Sequence, residues 1–230
     1  MDLLNGIFRL FSNKLFYNFI KEDRFIFLVR GWIVSIEVTF FAAVLGVIIG
    51  LFIAIAKLSG KGIIKAIADW YIEVIRGTPT VVQLTITYFV IFASVDIPKI
   101  VVASIAFGIN SGAYVAEIIR AGIQAVDKGQ MEAARSVGLS YPQAMRYVII
   151  PQAIKNILPA IGNEFIVLLK ETSVSGYIAL DDLTRGGTTI RSLTYDAMTP
   201  LLTVAYIYFL MTASLSALLS KFERRLRQSD

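Results

Sequence analysis

The chain has 230 residues, of which 56% are apolar, and a mean hydropathy of +0.69, values that exclude an ordinary soluble globule and point to one polytopic membrane domain. It contains neither cysteine nor histidine, which excludes disulfides, thiolate or imidazole metal sites and histidine-based acid–base chemistry. The net charge of +5 comes from cations scattered between apolar runs, a pattern that suits a membrane surface and not nucleic acid.

Residues 1–27 mix apolar side chains with Asp2, Arg9, Lys14, Lys21, Glu22, Asp23 and Arg24, so they do not read as a cleavable signal peptide and are expected to form an amphipathic interfacial lead-in. Residues 28–220 read as the transmembrane domain. Its first span is expected over 27–57, where Ala42, Gly46, Gly50 and Ala54 place a small residue at every fourth position, the pattern of close helix packing within or between subunits. A basic loop with Lys57, Lys61 and Lys65 follows. The second span, 66–93, is interrupted by Gly77 and Pro79, which predicts a break or bend at membrane depth. The third, 100–125, carries Asn110, Ser111, Gly112 and Glu117 on an otherwise apolar helix.

Residues 127–159 form a polar interval. Asp127 with Gln130 has capping-box spacing, the helix they open runs through Val137, and Gly138 stands where a left-handed C-cap wants glycine. Ser140 with Gln143 repeats the box, and Pro151 interrupts the second helix. The expectation is two short helices in a knee, too short and too charged to cross a bilayer. A fourth span follows over 151–169. Residues 170–199 are polar, with a short fold-back helix expected between Ser173 and Asp182, and the stretch 199–220 is a final span without any charge. The basic tail 221–230, with Lys221, Arg224, Arg225 and Arg227, argues for a cytoplasmic C-terminus. Counting back through five spans puts the N-terminus outside and the 127–138 helix inside; Arg9, Lys14, Lys21, Arg24 and Arg30 on the outer side run against the charge rule.

Glu132, Ala133 and Ala134, then Gly138, then Val148, Ile150 and Pro151 match the EAA-x3-G-x9-I-x-L-P signature of bacterial ABC-importer membrane subunits, with valine and isoleucine replacing isoleucine and leucine. RGTPTVVQL (76–84), NSGAYVAEIIRAGI (110–123), GNEFIVLLKETS (162–173) and SVGLS further resemble the polar amino-acid uptake branch of that family, and the resemblance extends over about residues 28–220. It implies an all-α permease subunit whose residues 127–138 form a cytoplasmic coupling helix, with Glu132, Ala133, Ala134, Arg135 and Gly138 meeting a groove in an ATPase subunit. It also implies a second membrane subunit, as a homodimer or with a related chain, an extracytoplasmic binding protein, a small amino acid as cargo, and no nucleic acid. The sequence has no G-x-x-x-x-G-K-[ST], so ATP and magnesium are expected on the ATPase chain and no cofactor on this one. No pair of carboxylates is placed as a hydrolase needs, and no catalytic or metal role is expected.

Ionisable groups inside spans are costly and tend to face a cavity. Glu164, beside Asn163 in an apolar helix, reads as a binder of a substrate ammonium or cationic side chain, against an internal ion pair such as with Arg76, or a carboxyl kept neutral by burial. Asn110 and Tyr114 share a face of the third span and suit an amino acid's polar groups; Glu117 is expected to pair with Arg120 or Arg76. Thr78, Thr80 and Gln83 either line a cavity at the Pro79 break or bond back to their own helix. Glu171 and Thr172 belong to a gate or to a solvated helix end. The function expected is ATP-driven import of polar amino acids, basic ones such as arginine, lysine or histidine, by alternating access. The alternatives are a glutamine or glutamate permease, an ion-coupled secondary transporter using Glu117 and Glu164, and a non-transporting assembly or regulatory membrane protein.

Overall fold

A computed structural model describes residues 13–60 and 62–227, and every described element is helical. Expectations that fall on residues 1–12 of the lead-in, on Lys61 and on residues 228–230 of the tail lie outside the described residues.

The first span, α1, is Phe25–Leu58, and at 34 residues it is longer than the hydrocarbon layer requires. The helix itself is apolar on all sides apart from Arg30, Glu37 and Lys57, and small residues mark the buried face. Ala42, Gly46, Gly50 and Ala54 all lie against the bundle, and the partner is α4, Lys99–Gln124. A Cβ on Gly50 would sit 2.6 Å from Val115, and one on Gly112 of α4 would sit 2.7 Å from Ile49. The stripe thus serves packing within this chain, each helix receiving the other's bulk on a glycine.

Between them runs α2, Gly62–Arg76, followed by α3, Thr80–Ile86, and a π turn at Thr87–Ile91. The two halves meet at 104°, giving the broken span that Gly77 and Pro79 predict, because Pro79 is held extended at φ −64°, ψ 136°. After α4, the short α5 covers Lys128–Ser136, and Gly138 turns the chain at φ +91°. The box expected at Asp127 and Gln130 does not close: Asp127 Oδ1 accepts from Gly129 N at 2.7 Å, while Gln130 Oε1 accepts from Gln152 Nε2 at 3.1 Å. The box at Ser140 does form, with its backbone N–H donating to Gln143 Oε1 at 2.8 Å.

The knee of two helices at Gly138 is present, but the interruption expected at Pro151 is corrected. The chain passes from α6, Tyr141–Ala144, through a π turn at Met145–Ile149 directly into α7, Ile150–Glu171. Pro151 falls in the first turn of α7, where a missing N–H is tolerated, so the second arm of the polar interval is the end of a spanning helix. The short helix expected between Ser173 and Asp182 is found as a 3-10 helix, Thr172–Ile178, and a longer helix that was not expected follows it, α8, Leu183–Thr194, whose first turn is capped by Asp182 accepting from Thr184 N and Arg185 N, each at 3.1 Å. Burial pushes the Asp182 carboxyl up to about 6. Gly186 and Gly187, within the stretch read as polar, are contact points: a Cβ there would meet Phe27 O at 2.5 Å and a Val204 methyl at 2.4 Å. Thr172, expected at a gate or a solvated helix end, is fully buried and donates to Leu169 O at 2.8 Å.

The final helix, α9, is Met198–Arg227. Tyr206 and Phe209 point outward from it, whereas Tyr208 packs on the Leu28 and Leu183 cluster. By length and apolarity α1, α4, α9 and the bent α2–α3 pair qualify as spans. The fifth, α7, has 22 residues and reaches about 33 Å, enough to cross, but Asn156, Asn163 and Glu164 make it more polar. It packs between α4 and α9.

At the far end of the bundle α8 lies against the start of α1, and a Cβ on Gly31 would come 2.5 Å from Asp182 O and 2.8 Å from Leu183 Cα. No side chain can yield there. Gly31→Ala is expected to destabilise the purified protein by about 1–3 kcal/mol, as overpacking does, read as a lowered midpoint of thermal unfolding in detergent; an unchanged midpoint contradicts the backbone contact.

Candidate transport pathway and coupling surface

The polar residues of α4 divide between two sides of that helix, because neighbours on a helix point about 100° apart. Asn110 faces the α2–α3 break. It is buried, and its Nδ2 donates to Gln83 Oε1 at 3.0 Å. Gln83 Nε2 in turn donates to Ile75 O at 2.7 Å and Thr78 Oγ1 at 2.7 Å, while Thr78 Oγ1 donates to Val74 O at 2.9 Å. The carbonyls freed by the break are therefore satisfied by side chains of the same element, and Asn110 fastens the elbow to α4. Asn110 Oδ1 is buried without a hydrogen-bond partner among the described residues. Thr80 is half-buried at the start of α3.

Ser111 faces the other way. Its hydroxyl donates to Glu164 Oε1 at 3.1 Å across the α4–α7 contact. Both residues open onto a cavity of about 400 Å³ whose remaining wall includes Phe40, Val44, Val47 and Phe165. Glu164 has no ion pair among the described residues. Arg76, the cation considered for it, instead lies over the Tyr114 ring at 5.2 Å and 3.9 Å from Glu117 Oε2. Asn163 is exposed on the outer surface of α7, away from the Ser111 contact. The structure thus joins Asn110 to Gln83 and places Tyr114 under Arg76, but leaves Glu164 in a separate cavity with Ser111. Ser111 was read from the sequence only as one of the polar residues of the third span and was given no binding role; its position next to Asn110 in a small-residue segment was the available signal.

Nearer the α5 end of α4, Glu117 gathers cations from three helices. Lys57 Nζ of α1 and Arg120 Nη2 of α4 both stand 2.8 Å from its carboxylate, Arg76 of α2 stands at 3.9 Å, and Lys57 also reaches Asp69 Oδ1 at 2.9 Å. The expected pairing with Arg120 or Arg76 holds, with Lys57 as the addition.

On α5, Glu132, Ala133 and Arg135 are exposed, followed by Val137 at 79% exposure. Ala134 turns inward and is buried against its own chain. Arg135 Nη1 closes the turn by donating to Leu139 O at 2.8 Å. The result is an outward face of small, acidic and apolar groups carried on a stub that touches the start of α7 through Gln130 and Gln152.

Residues 46–228 match the family described as binding-protein-dependent transport system inner membrane component. The chain belongs to that family. This inner membrane component is 38% identical over 206 residues to the arginine transport system permease protein ArtQ of Bacillus subtilis, with 89% of this chain and 94% of that one covered. It is 39% identical over 185 residues to the glutamine transport system permease protein GlnP of Escherichia coli, covering 79% and 84% respectively. A solved structure, the crystal structure of an amino acid ABC transporter with histidines, is 52% identical with a TM-score of 0.84 and covers 90% of this chain and 98% of that one. The MetNI methionine ABC transporter in an inward-facing form shares the fold, with a TM-score of 0.72 at 20% identity over 86% of this chain and 95% of that one. The inner membrane component is therefore a multi-pass permease subunit of an ABC importer, with α1, the α2–α3 pair, α4 and α9 as its candidate spans.

Proposed function

We propose that this permease forms the translocation pathway for amino acids, with cationic ones, arginine, lysine or histidine, as the preferred cargo. The observation that carries the reading is the contrast between two carboxylates on helices read as spans. Glu117 is surrounded by three cations from its own chain. Glu164 has only a serine hydroxyl and a cavity. An unpaired carboxylate in a span costs about 2.5–3.5 kcal/mol, and a cationic side chain or α-ammonium arriving in that cavity removes the cost. The unpartnered Asn110 Oδ1 offers a second acceptor on the elbow side of α4. That relatives carry both arginine and glutamine in their names keeps a neutral amide cargo as the second reading, since Asn110 and Gln83 present amide chemistry.

Transport is read as alternating access. ATP and its magnesium reside on a separate ATPase subunit, consistent with the lack of a phosphate loop in this sequence. Closure of two such subunits draws the α5 helices together and, through the Gln130–Gln152 contact, tilts α7, the helix that bears Asn163 and Glu164. A second copy of this chain completes the pathway, and an extracytoplasmic binding protein delivers cargo. The α1–α2 turn, the α4–α5 link and the end of α9 share one end of the bundle, as the linings of two cavities show. Assigning that end to the cytoplasm gives a cytoplasmic C-terminus and an outer N-terminus, with Lys57, Lys128, Arg146 and Lys221 on the side where cations accumulate.

Glu164→Gln in the assembled transporter is expected to lower arginine uptake into vesicles by about tenfold or more, the worth of a charge-assisted hydrogen bond, with a smaller effect on glutamine uptake. Unchanged arginine uptake removes the cationic reading. Uptake that runs without the ATPase along an ion gradient removes the ATP-driven one.

A further inference from the structure

Asp182 stands where four elements meet, at the far end of the bundle from α5. A Cβ on Gly31 of α1 would lie 2.5 Å from its carbonyl oxygen, and one on Gly176 of the 172–178 turn would lie 3.7 Å from its Oδ1. Its carboxylate caps α8, and Tyr208 of α9 faces it. The residue is 1% exposed and has no ion pair among the described residues. Arg185, three positions on, directs its Nε to Asp181 Oδ1 at 2.8 Å and its Nη1 to Gly176 O at 3.5 Å. The π turn Phe16–Ile20 packs on α8 and is followed by Arg24, whose guanidinium donates to Tyr17 O at 3.0 Å and to Glu22 Oε2 at 2.8 Å. Lys99 of α4 donates to Ala179 O at 3.1 Å. From α1 comes a neutral group, Ser35, whose Oγ accepts from Leu183 N at 3.2 Å. The 172–178 turn adds buried Thr172 and Ser175, its Tyr177 is exposed, and the Tyr208 hydroxyl is buried without a hydrogen-bond partner among the described residues.

Packing alone keeps water from this carboxylate. Parting α8 from α1 or from the 172–178 turn hydrates it and favours its charged form, whereas closing them favours the neutral form. Burial pushes the packed carboxyl up to about 6, although the backbone N–H groups of Arg185 and Thr184 pull the other way; hydrated, it returns toward its ordinary value of 3.8. The packed arrangement therefore binds the proton more tightly. It gains stability as pH falls from about 6 toward 4 and loses it as pH rises through about 6. A shift of about two units biases a balance between open and closed forms by up to about a hundredfold.

We propose that Asp182 makes the outer end of the permease a proton-sensitive latch: protonation from the outer medium holds α8 closed on α1 and the 172–178 turn, and ionisation favours the opening that admits cargo. The inference rests on the orientation and the alternating access proposed above, not on the cargo class. Asp182→Asn keeps a side-chain cap on α8 and removes the charge. In detergent its thermal midpoint is expected to lie above that of the wild type at pH 8, with the gap narrowing toward pH 5, a comparison in which the other titrating groups cancel. The second measurement uses the complete transporter in proteoliposomes, with ATP inside at fixed pH and the binding protein and arginine outside. Wild-type uptake is expected to exceed that of the variant by about tenfold at external pH 7.5, with the ratio falling toward one at pH 5. A wild-type rate indifferent to external pH overturns the latch even if the variant does not assemble. A constant ratio overturns it as well, as does a midpoint gap that does not narrow. A ratio that follows internal pH instead puts Asp182 at the inner end and overturns the outer latch together with the orientation. The cargo reading fails separately: if the complex imports glutamine and ignores Glu164→Gln, the same ratio measured with glutamine decides the latch, whereas Glu164-dependent arginine uptake with a constant ratio faults the latch alone.

Discussion

Gly138→Pro should abolish coupled uptake, lowering transport by about a hundredfold, the scale on which misplacement of a working element acts, while leaving the five spans folded. Gly138 ends α5 at φ +91°, a region closed to proline, whose ring fixes φ near −65°. The substitution also deletes the N–H that donates to Arg135 O at 3.1 Å. Both losses fall on the turn that aims the exposed Glu132–Val137 face away from α7. Gly138→Ala separates geometry from space. Nothing lies within 4 Å of a Cβ at this position, so alanine meets only the backbone strain of a left-handed residue, about 1–2 kcal/mol, and should retain part of the activity. The measurement is uptake per ATP hydrolysed in the reconstituted complex. A proline variant with wild-type stoichiometry and rate shows that α5 does not transmit the stroke.

The α5 helix and the turn after it were readable because their chemistry is local: a cap residue, helix formers and a glycine at fixed spacing specify a turn before any tertiary contact forms. The elbow was readable for the same reason, from Gly77 and Pro79. What the sequence hid depends on partners distant in the chain. Gly186 and Gly187 carry no packing signal in a polar stretch until Phe27 and Val204 arrive against them, at which point glycine is the residue that lets α8 approach. Pro151 looks like a break until the π turn before it shifts the register. Gln83 and Asn110 both carry groups that suit an amino acid, and only the 3.0 Å contact between them reveals that they secure the elbow. Glu164 stood out as a mid-span carboxylate, but the sequence could not distinguish a paired charge from an unpaired one; the separation of Arg76 toward Tyr114 and Glu117 does that.

That distinction sets the expected behaviour of Glu117→Gln, which should behave opposite to Glu164→Gln in every respect but uptake. The Glu117 side chain is 17% exposed, and its cationic neighbours Lys57 and Arg120 are 19% and 29% exposed, so the cluster is mostly but not wholly removed from water. Removing one partner of a buried ionic group strands the others, at about 3–5 kcal/mol for a fully buried pair. With this much solvent, and with Asp69 still 2.9 Å from Lys57, about 2–3 kcal/mol is expected. The loss should appear as a lowered thermal midpoint in detergent, and Lys57→Met placed together with Glu117→Gln should recover part of it, because fewer cations are left unpaired. Glu164→Gln strands nothing and should leave the midpoint in cargo-free detergent unchanged or slightly raised. Arginine should raise the midpoint of the wild type and of Glu117→Gln by ligand linkage but lose its effect on Glu164→Gln. If instead Glu164→Gln is the destabilised variant and arginine still stabilises it, Glu164 is a structural charge and the cargo must be held elsewhere on α4, at the Asn110 side of the helix.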